Sequence, residues 1–314
     1  MLKAMTNLQK QDHLDQLESE SIAIIRQAMA DFCNPVLLYS VGKDSSVLLH
    51  LTVKAFLPAK PGLPLLHIDT GYKFQQMLEF RDKRARELGF ELTVHRNEAA
   101  IAQHTNPYRD GVARCCGALK TQALLDALEA GNHDAAIGGA RRDEEASRAK
   151  ERVFSFRDTF GQWEPRGQRP ELWNNYNTRI HEGESMRIFP LSNWTEVDIW
   201  SYIQREGIAI VPLYFAKLRK VRKTNSLLMP AIDLVALPHQ LADHHNFAAE
   251  PIREMNVRYR TLGCTHCTAA CESNADTLQS IVDETMRVRT SERSTRLIDH
   301  GANSMEDKKR EGYF

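Results

Sequence analysis

Apolar positions along the chain alternate between a helical period and short continuous runs. Leu14, Leu17, Ile24, Ile25, Ala28 and Phe32 recur at helical spacing among charged residues and predict an amphipathic helix. Val36, Leu37, Leu38 and Tyr39 then form a compact apolar run, the mark of a buried strand. A loop of small residues follows, and a second helical pattern runs to about Phe56, where Leu57-Pro58-Ala59-Lys60-Pro61-Gly62 breaks it. Residues 65–69 predict a second strand, and Phe74, Met77 and Leu78 open a helix with a charged continuation to Glu87. Residues 91–95 alternate as a third strand. Residues 118–130 read as a helix and 134–139 as a fourth strand, which ends on Gly138 and Gly139. Strands that alternate with helices pair in parallel, so the expected fold is α/β, a doubly wound, mostly parallel sheet. Ligands of such sheets bind at the carboxyl ends of the strands.

Farther along, the pattern weakens. Residues 154–180 show little period and are expected to be an irregular loop, long enough for a lid or an interface. Residues 187–191 read as a further strand, and Thr195 as the N-cap of a helix packed by Ile199, Trp200 and Ile203. Residues 217–245 carry basic side chains (Lys217, Arg219, Lys220, Arg222, Lys223) and three histidines (His239, His244, His245), and are expected to form a surface loop. Strand-like alternation returns at residues 257–263, followed by a helix bearing Leu278, Ile281 and Met286 and by a charged tail. The division expected is a nucleotide-binding domain over residues 1–215 and a C-terminal extension over 216–314.

Composition narrows the classes. The chain has 314 residues, 42% hydrophobic and 26% charged, as in ordinary globular proteins. Lysine plus arginine and aspartate plus glutamate number 41 each, so the basic excess usual in a nucleic-acid binder is absent and no nucleic-acid partner is expected. No apolar run approaches the roughly 18 residues of a membrane span, and residues 1–11 lack the apolar core of a signal peptide. The expectation is a cytoplasmic protein without a membrane partner.

The chemistry concentrates where the first strand meets its helix. In Ser40-Val41-Gly42-Lys43-Asp44-Ser45-Ser46 a glycine allows close backbone approach, a lysine adds charge and three serines add hydroxyl donors, all at a helix N-terminus with free N–H groups. That is a phosphate cradle, although the G-x-x-x-x-G-K-[ST] spacing of a Walker loop is absent. Asp69, Gly138 and Gly139 fall at the same sheet edge. Beyond the glycines, the mixed-charge run 140–152 includes Arg141, Arg142 and Arg148, which in that position are suited to clamp phosphate or sulfate oxygens.

The string from Ser40 to Ser45 resembles the pyrophosphate loop of the N-type ATP pyrophosphatases, with Val41 where many relatives have glycine. Five further segments fit alongside it: His67-Ile68-Asp69-Thr70-Gly71, Gly138-Gly139-Ala140-Arg141-Arg142-Asp143-Glu144-Glu145, Ser147-Arg148-Ala149-Lys150-Glu151-Arg152, Pro190-Leu191-Ser192-Asn193-Trp194-Thr195-Glu196 and Arg260-Thr261-Leu262-Gly263-Cys264. Together they resemble the small-subunit family of bacterial ATP sulfurylases, within the pyrophosphate-loop and phosphoadenylylsulfate reductase superfamily. The resemblance covers nearly the whole chain. It implies an adenine nucleotide alpha-hydrolase-like, Rossmann-like fold, and the conversion of ATP and sulfate to adenylyl sulfate and pyrophosphate in sulfate assimilation. It also implies coupling to a separate GTPase large subunit. Carried onto these positions, it assigns Ser40, Gly42, Lys43, Asp44, Ser45 and Ser46 to the ATP phosphates and Mg²⁺, with Asp44 a metal ligand. Asp69 falls near the adenosine, and Arg141, Arg142 and Arg148 around the sulfate or α-phosphate.

Two cysteine groups stand outside that picture. Cys115-Cys116 and the distant Cys264-Thr265-His266-Cys267 resemble the [4Fe–4S] ligands of the adenylylsulfate reductases of the same superfamily. Thiolates so spaced suit an iron–sulfur cluster or zinc, and buried structural cysteines are the alternative. The reductases carry a catalytic cysteine near the C-terminus, whereas the last cysteine here is Cys271. An adenylyltransferase is therefore the first reading, ahead of a cluster-bearing reductase or an adenylating sulfur-transfer ligase.

Overall fold

The computed structural model describes residues 7–145, 148–224, 227–231, 251–288 and residue 292. Helix α1 (Asn7–Asp31) leads into strand β1 (Pro35–Leu38), whose four residues are all buried. Helix α2 (Lys43–Phe56) follows, and ends where the apolar period meets the prolines. Strand β2 (Leu65–Ile68), helix α3 (Gln75–Leu88) and strand β3 (Leu92–His95) repeat the unit. Gly89 closes α3 in the left-handed region with φ 71°, a conformation that costs glycine nothing sterically.

The next stretch is more broken than its periodicity suggests. Short helices α4 (Glu98–Ala102), α5 (Pro107–Asp110) and α6 (Val112–Cys116) lead to a π-helical turn (Gly117–Gln122), which runs into α7 (Ala123–Ala130). Strand β4 (Ala135–Ile137) then enters the sheet.

Residues 154–180 are not wholly irregular: Phe154–Arg157 is strand β5, antiparallel to β6 (Ser185–Ile188). A four-residue edge strand leaves little period to read, because its neighbours supply the pairing and the burial. β6 itself begins two residues earlier than expected. Helix α8 (Glu196–Glu206) starts as the sequence indicates, with Thr195 and Asp198 forming a reciprocal capping box. The sheet order is β3-β2-β1-β4-β6-β5, with all pairs parallel except β5–β6. It is a doubly wound, mostly parallel α/β sheet.

A second correction concerns residues 217–245. Strands β7 (Lys217–Thr224) and β8 (Leu227–Pro230) form an antiparallel pair, joined by β9 (Arg253–Arg258) and β10 (Cys271–Glu272) in a four-stranded sheet of order β10-β9-β7-β8. The basic residues of β7 disguise it. Val221 is its one fully buried residue, and charge falls on both faces, Lys217, Arg219 and Lys223 on one and Lys220 and Arg222 on the other, so no apolar alternation shows in the sequence. His239, His244 and His245 lie outside the described residues. Helix α9 (Leu278–Arg287) closes the described chain, capped by Thr277 and packed against α8. No helix among the described residues is long and apolar enough to cross a membrane.

Candidate active site

The crossover from β1 to α2 builds the cradle. Val41 takes a positive φ of 68°, strained for a β-branched residue, while its side chain is wholly buried in the main core. Gly42 begins the helix with no side-chain cap, which leaves the first turn open toward the sheet edge. The Lys43 N–H donates to the Tyr214 hydroxyl at 2.7 Å, and the Ser45 and Ser46 hydroxyls donate back to the Gly42 carbonyl. Gly139 must be bare. A Cβ there would stand 3.2 Å from the Asp44 carbonyl carbon and 3.3 Å from the Ser45 nitrogen, so the end of β4 packs directly on the cradle backbone. Gly138 serves the sheet, donating its N–H to the Ile188 carbonyl at 2.8 Å.

Lys43 is 1% exposed, and its ammonium pairs with Asp44 at 3.2 Å and with Glu292. Arg141, also 1% exposed, donates to Asp44 at 2.6 Å and to Glu292. Two cations and two carboxylates thus form one buried cluster. Burial works against the Lys43 charge, but Asp44 and Glu292 outweigh it and hold its pKa above the usual lysine range. Burial would also raise Asp44, yet Lys43 and Arg141 keep it below its ordinary value. For Glu292 burial prevails over the same two cations, and its carboxyl is pushed up to about 7.

The cluster floors a cavity at the carboxyl edge of β1, β2 and β4. Leu38, Leu66, Ile68 and Leu124 give it an apolar wall, while Lys73, Lys120, Glu144 and Arg148 face it from the rim. It can receive a polyanion joined to a flat apolar group.

Cys115, Cys264 and Cys267 are buried together with Tyr72 and Leu119, and Cys116 packs against them. A thiol hydrogen bond joins Cys116 and Cys267, and Thr70 Oγ1 lies 3.1 Å from the Cys264 sulfur. Burial pushes the Cys115 thiol well above its usual range; Cys267 is raised first by its bond to Cys116, then by burial. The two sequence-distant pairs therefore meet. Among the described residues, however, no three His, Cys, Asp or Glu side chains form a group that could hold a metal ion. By type the sulfurs suit iron–sulfur or zinc; as placed they are a packed thiol cluster that does not form a metal-holding group. No disulfide joins any of the six cysteines.

The phosphoadenosine phosphosulfate reductase domain family matches residues 34–270. The sulfate adenylyltransferase subunit 2 of Pseudomonas entomophila (strain L48) is 55% identical over 303 residues, covering 96% of this chain and 98% of its own. That of Sulfurimonas denitrificans (strain ATCC 33889 / DSM 1251) is 54% identical over 311 residues, covering 99% and 100%. The chain belongs to the sulfate adenylyltransferase subunit 2 family. A solved phosphoadenylyl-sulfate reductase from Candida auris aligns at 17% identity and a TM-score of 0.44, over 67% of this chain and 92% of its own.

In this member of the sulfate adenylyltransferase subunit 2 family, the structure gathers Ser40, Gly42, Lys43, Asp44, Ser45, Gly139 and Arg148 on the cavity wall, with Arg141 bonded to Asp44 beneath. Ser46 faces back into its own helix. Arg142 turns away, donating to Asn193 at 2.5 Å and lying 3.8 Å from Glu171. Asp69 accepts from the Gly71 N–H at 2.9 Å and lies 3.4 Å from Arg96, contacts that brace the turn after β2. Sequence reasoning missed Tyr214 and Glu292, which lie 171 and 249 residues from Lys43. No local pattern marks either one.

Proposed function

We propose that this chain performs adenylyl transfer from ATP to sulfate, giving adenylyl sulfate and pyrophosphate. The observation that supports it best is the buried Lys43–Asp44–Arg141 set at the open N-terminus of α2, in a chain 55% identical to sulfate adenylyltransferase subunit 2. In this reading the triphosphate lies on Lys43, Arg141, Ser40, Ser45 and the first-turn N–H groups. The adenine rests on the apolar wall of Leu38, Leu66, Ile68 and Leu124. A sulfate oxygen, held toward Arg148, attacks the α-phosphorus in line; the bond to the bridging oxygen breaks, and pyrophosphate leaves into the cradle. The protein supplies position and charge neutralisation, which is most of what phosphoryl-type transfer asks.

Mg²⁺ fits the donor set, because it is commonly held by one or two carboxylates plus substrate phosphates, and Asp44 is an ionised carboxylate on the cavity wall. When bound, the ion would neutralise phosphate charge. Cys115, Cys116, Cys264 and Cys267 take no step, since their arrangement does not fit a metal centre. Adenylyl sulfate is a high-energy anhydride, so the forward reaction needs an energy source; a GTPase large subunit, supplied as a separate chain in the cytoplasm, fills that place. Pyrophosphate release measured with ATP and sulfate, with and without that GTPase and GTP, tests the reading. Release that requires sulfate is expected, and its absence under both conditions overturns it.

A further inference from the structure

Glu292 sits where a phosphate should. Its carboxylate contacts Lys43 and Arg141, the two buried cations of the cradle, from a point 249 residues along the chain. It is 3% exposed and lies on the cavity wall, facing Asp44 and Lys43 of α2, Glu196 of α8 and Arg141 beyond β4. A carboxylate accepting from lysine and arginine reproduces the charge and the acceptor geometry of a phosphate oxygen pair. Lys43 and Arg141 meet the carboxylates of Asp44 and Glu292 there, with Asp143 3.5 Å from Arg141. A triphosphate that entered beside Glu292 would bring like charge against a buried carboxylate, where little water screens it. The same two cations cannot serve both.

We propose that Glu292 is a built-in competitor for the nucleotide, holding the pyrophosphate subsite closed until ATP or pyrophosphate displaces its carboxylate from Lys43 and Arg141. The proposal rests on reading the cradle as the ATP phosphate site. It assigns Glu292 an inhibitory contact, with the affinity of the site reduced by whatever the Lys43–Glu292–Arg141 contact contributes. Glu292 also keeps the empty site stable, because without it Lys43 and Arg141 would have only Asp44 and the more exposed Asp143 to pair with.

The test is direct calorimetric binding of inorganic pyrophosphate and of ATP to the full chain, for the wild type, Glu292→Gln, Glu292→Ala and Lys43→Ala. The Glu292 variants are expected to bind both ligands about tenfold or more tightly than wild type. They should also melt at lower temperature without ligand and show a larger ligand-induced rise. Unchanged or weaker binding in folded Glu292→Gln and Glu292→Ala, with Lys43→Ala binding lost, overturns the competitor and leaves the cradle standing. If pyrophosphate and ATP bind neither the wild type nor the Glu292 variants, the cradle reading itself fails. Should both Glu292 variants fold only when pyrophosphate is supplied, the competitor is supported, since the ligand then replaces the missing carboxylate.

Discussion

The cradle and the thiol cluster are both assembled from chemistry-bearing side chains, and they are built in opposite ways. The cradle is contiguous: Ser40 to Ser46 are neighbours in sequence, at a strand-to-helix turn whose N–H groups any such turn would expose. Its charged groups are paired, Lys43 and Arg141 against Asp44 and Glu292. The thiol cluster joins residues near 115 to residues near 265, which the isolated bridge of Lys73 to Cys264 and the Thr265 N–H bond to the Tyr72 carbonyl tie to the turn after β2. Its neighbours are mostly apolar. One site gathers charge; the other is packed thiols. Cysteine spacing alone cannot separate a ligand set from a packed thiol cluster, because the difference lies in how the sulfurs face one another.

The largest expected break in that comparison comes from Lys43→Ala. Loss of a buried cation at the developing charge should lower sulfate-dependent pyrophosphate release by about 10²–10³-fold, with the fold retained by circular dichroism. Activity within error of wild type would mean the cradle is misplaced.

A middle-sized effect separates the two sites by acid. His67 is buried under the cradle strand, its Nδ1 2.7 Å from the Tyr39 carbonyl, and burial lowers its pKa to about 3. Its neutral form therefore contributes stability that is complete above the unfolded value near 6.5 and is lost as pH falls below it, because only the unfolded chain then takes up the proton. Between pH 7 and pH 5 that costs about 2 kcal/mol. Urea midpoints of wild type against His67→Gln should diverge by that amount, and parallel curves would refute the assignment. Cys115 and Cys267 are buried and their thiols raised well above this window, so their alkylation by iodoacetamide at pH 7 should be slow in the native protein.

The smallest effect is expected from the pair Cys116→Ser, Cys267→Ser. It should leave pyrophosphate release within about threefold of wild type and cost about 1 kcal/mol of stability. Stoichiometric iron or zinc in the wild type that is lost in this variant would turn the packed cluster into a metal centre and end the contrast.

Much of the architecture was legible because periodicity is local. The end of α2 at Phe56, the capped start of α8 and the two glycines after β4 all follow from residues within one turn of the feature. Strand β5 and the β7–β8 pair were not legible, since four residues carry little period and the basic residues of β7 read as loop. Where the Arg142 and Asp69 side chains point was not legible for a related reason. Proximity in sequence to a site residue places a Cα near the cavity, while the partners Asn193, Glu171 and Arg96 decide where the side chain goes.

What the sequence determined by itself is the doubly wound sheet, the small-residue loop at its first crossover and the family resemblance, because each rests on contiguous residues whose backbone geometry is fixed locally. Only the tertiary structure brought Tyr214 and Glu292 onto Lys43 and closed two distant cysteine pairs into one packed cluster. Those pairings depend on how packed layers carry distant segments together, and on burial, which sets whether each group stays charged.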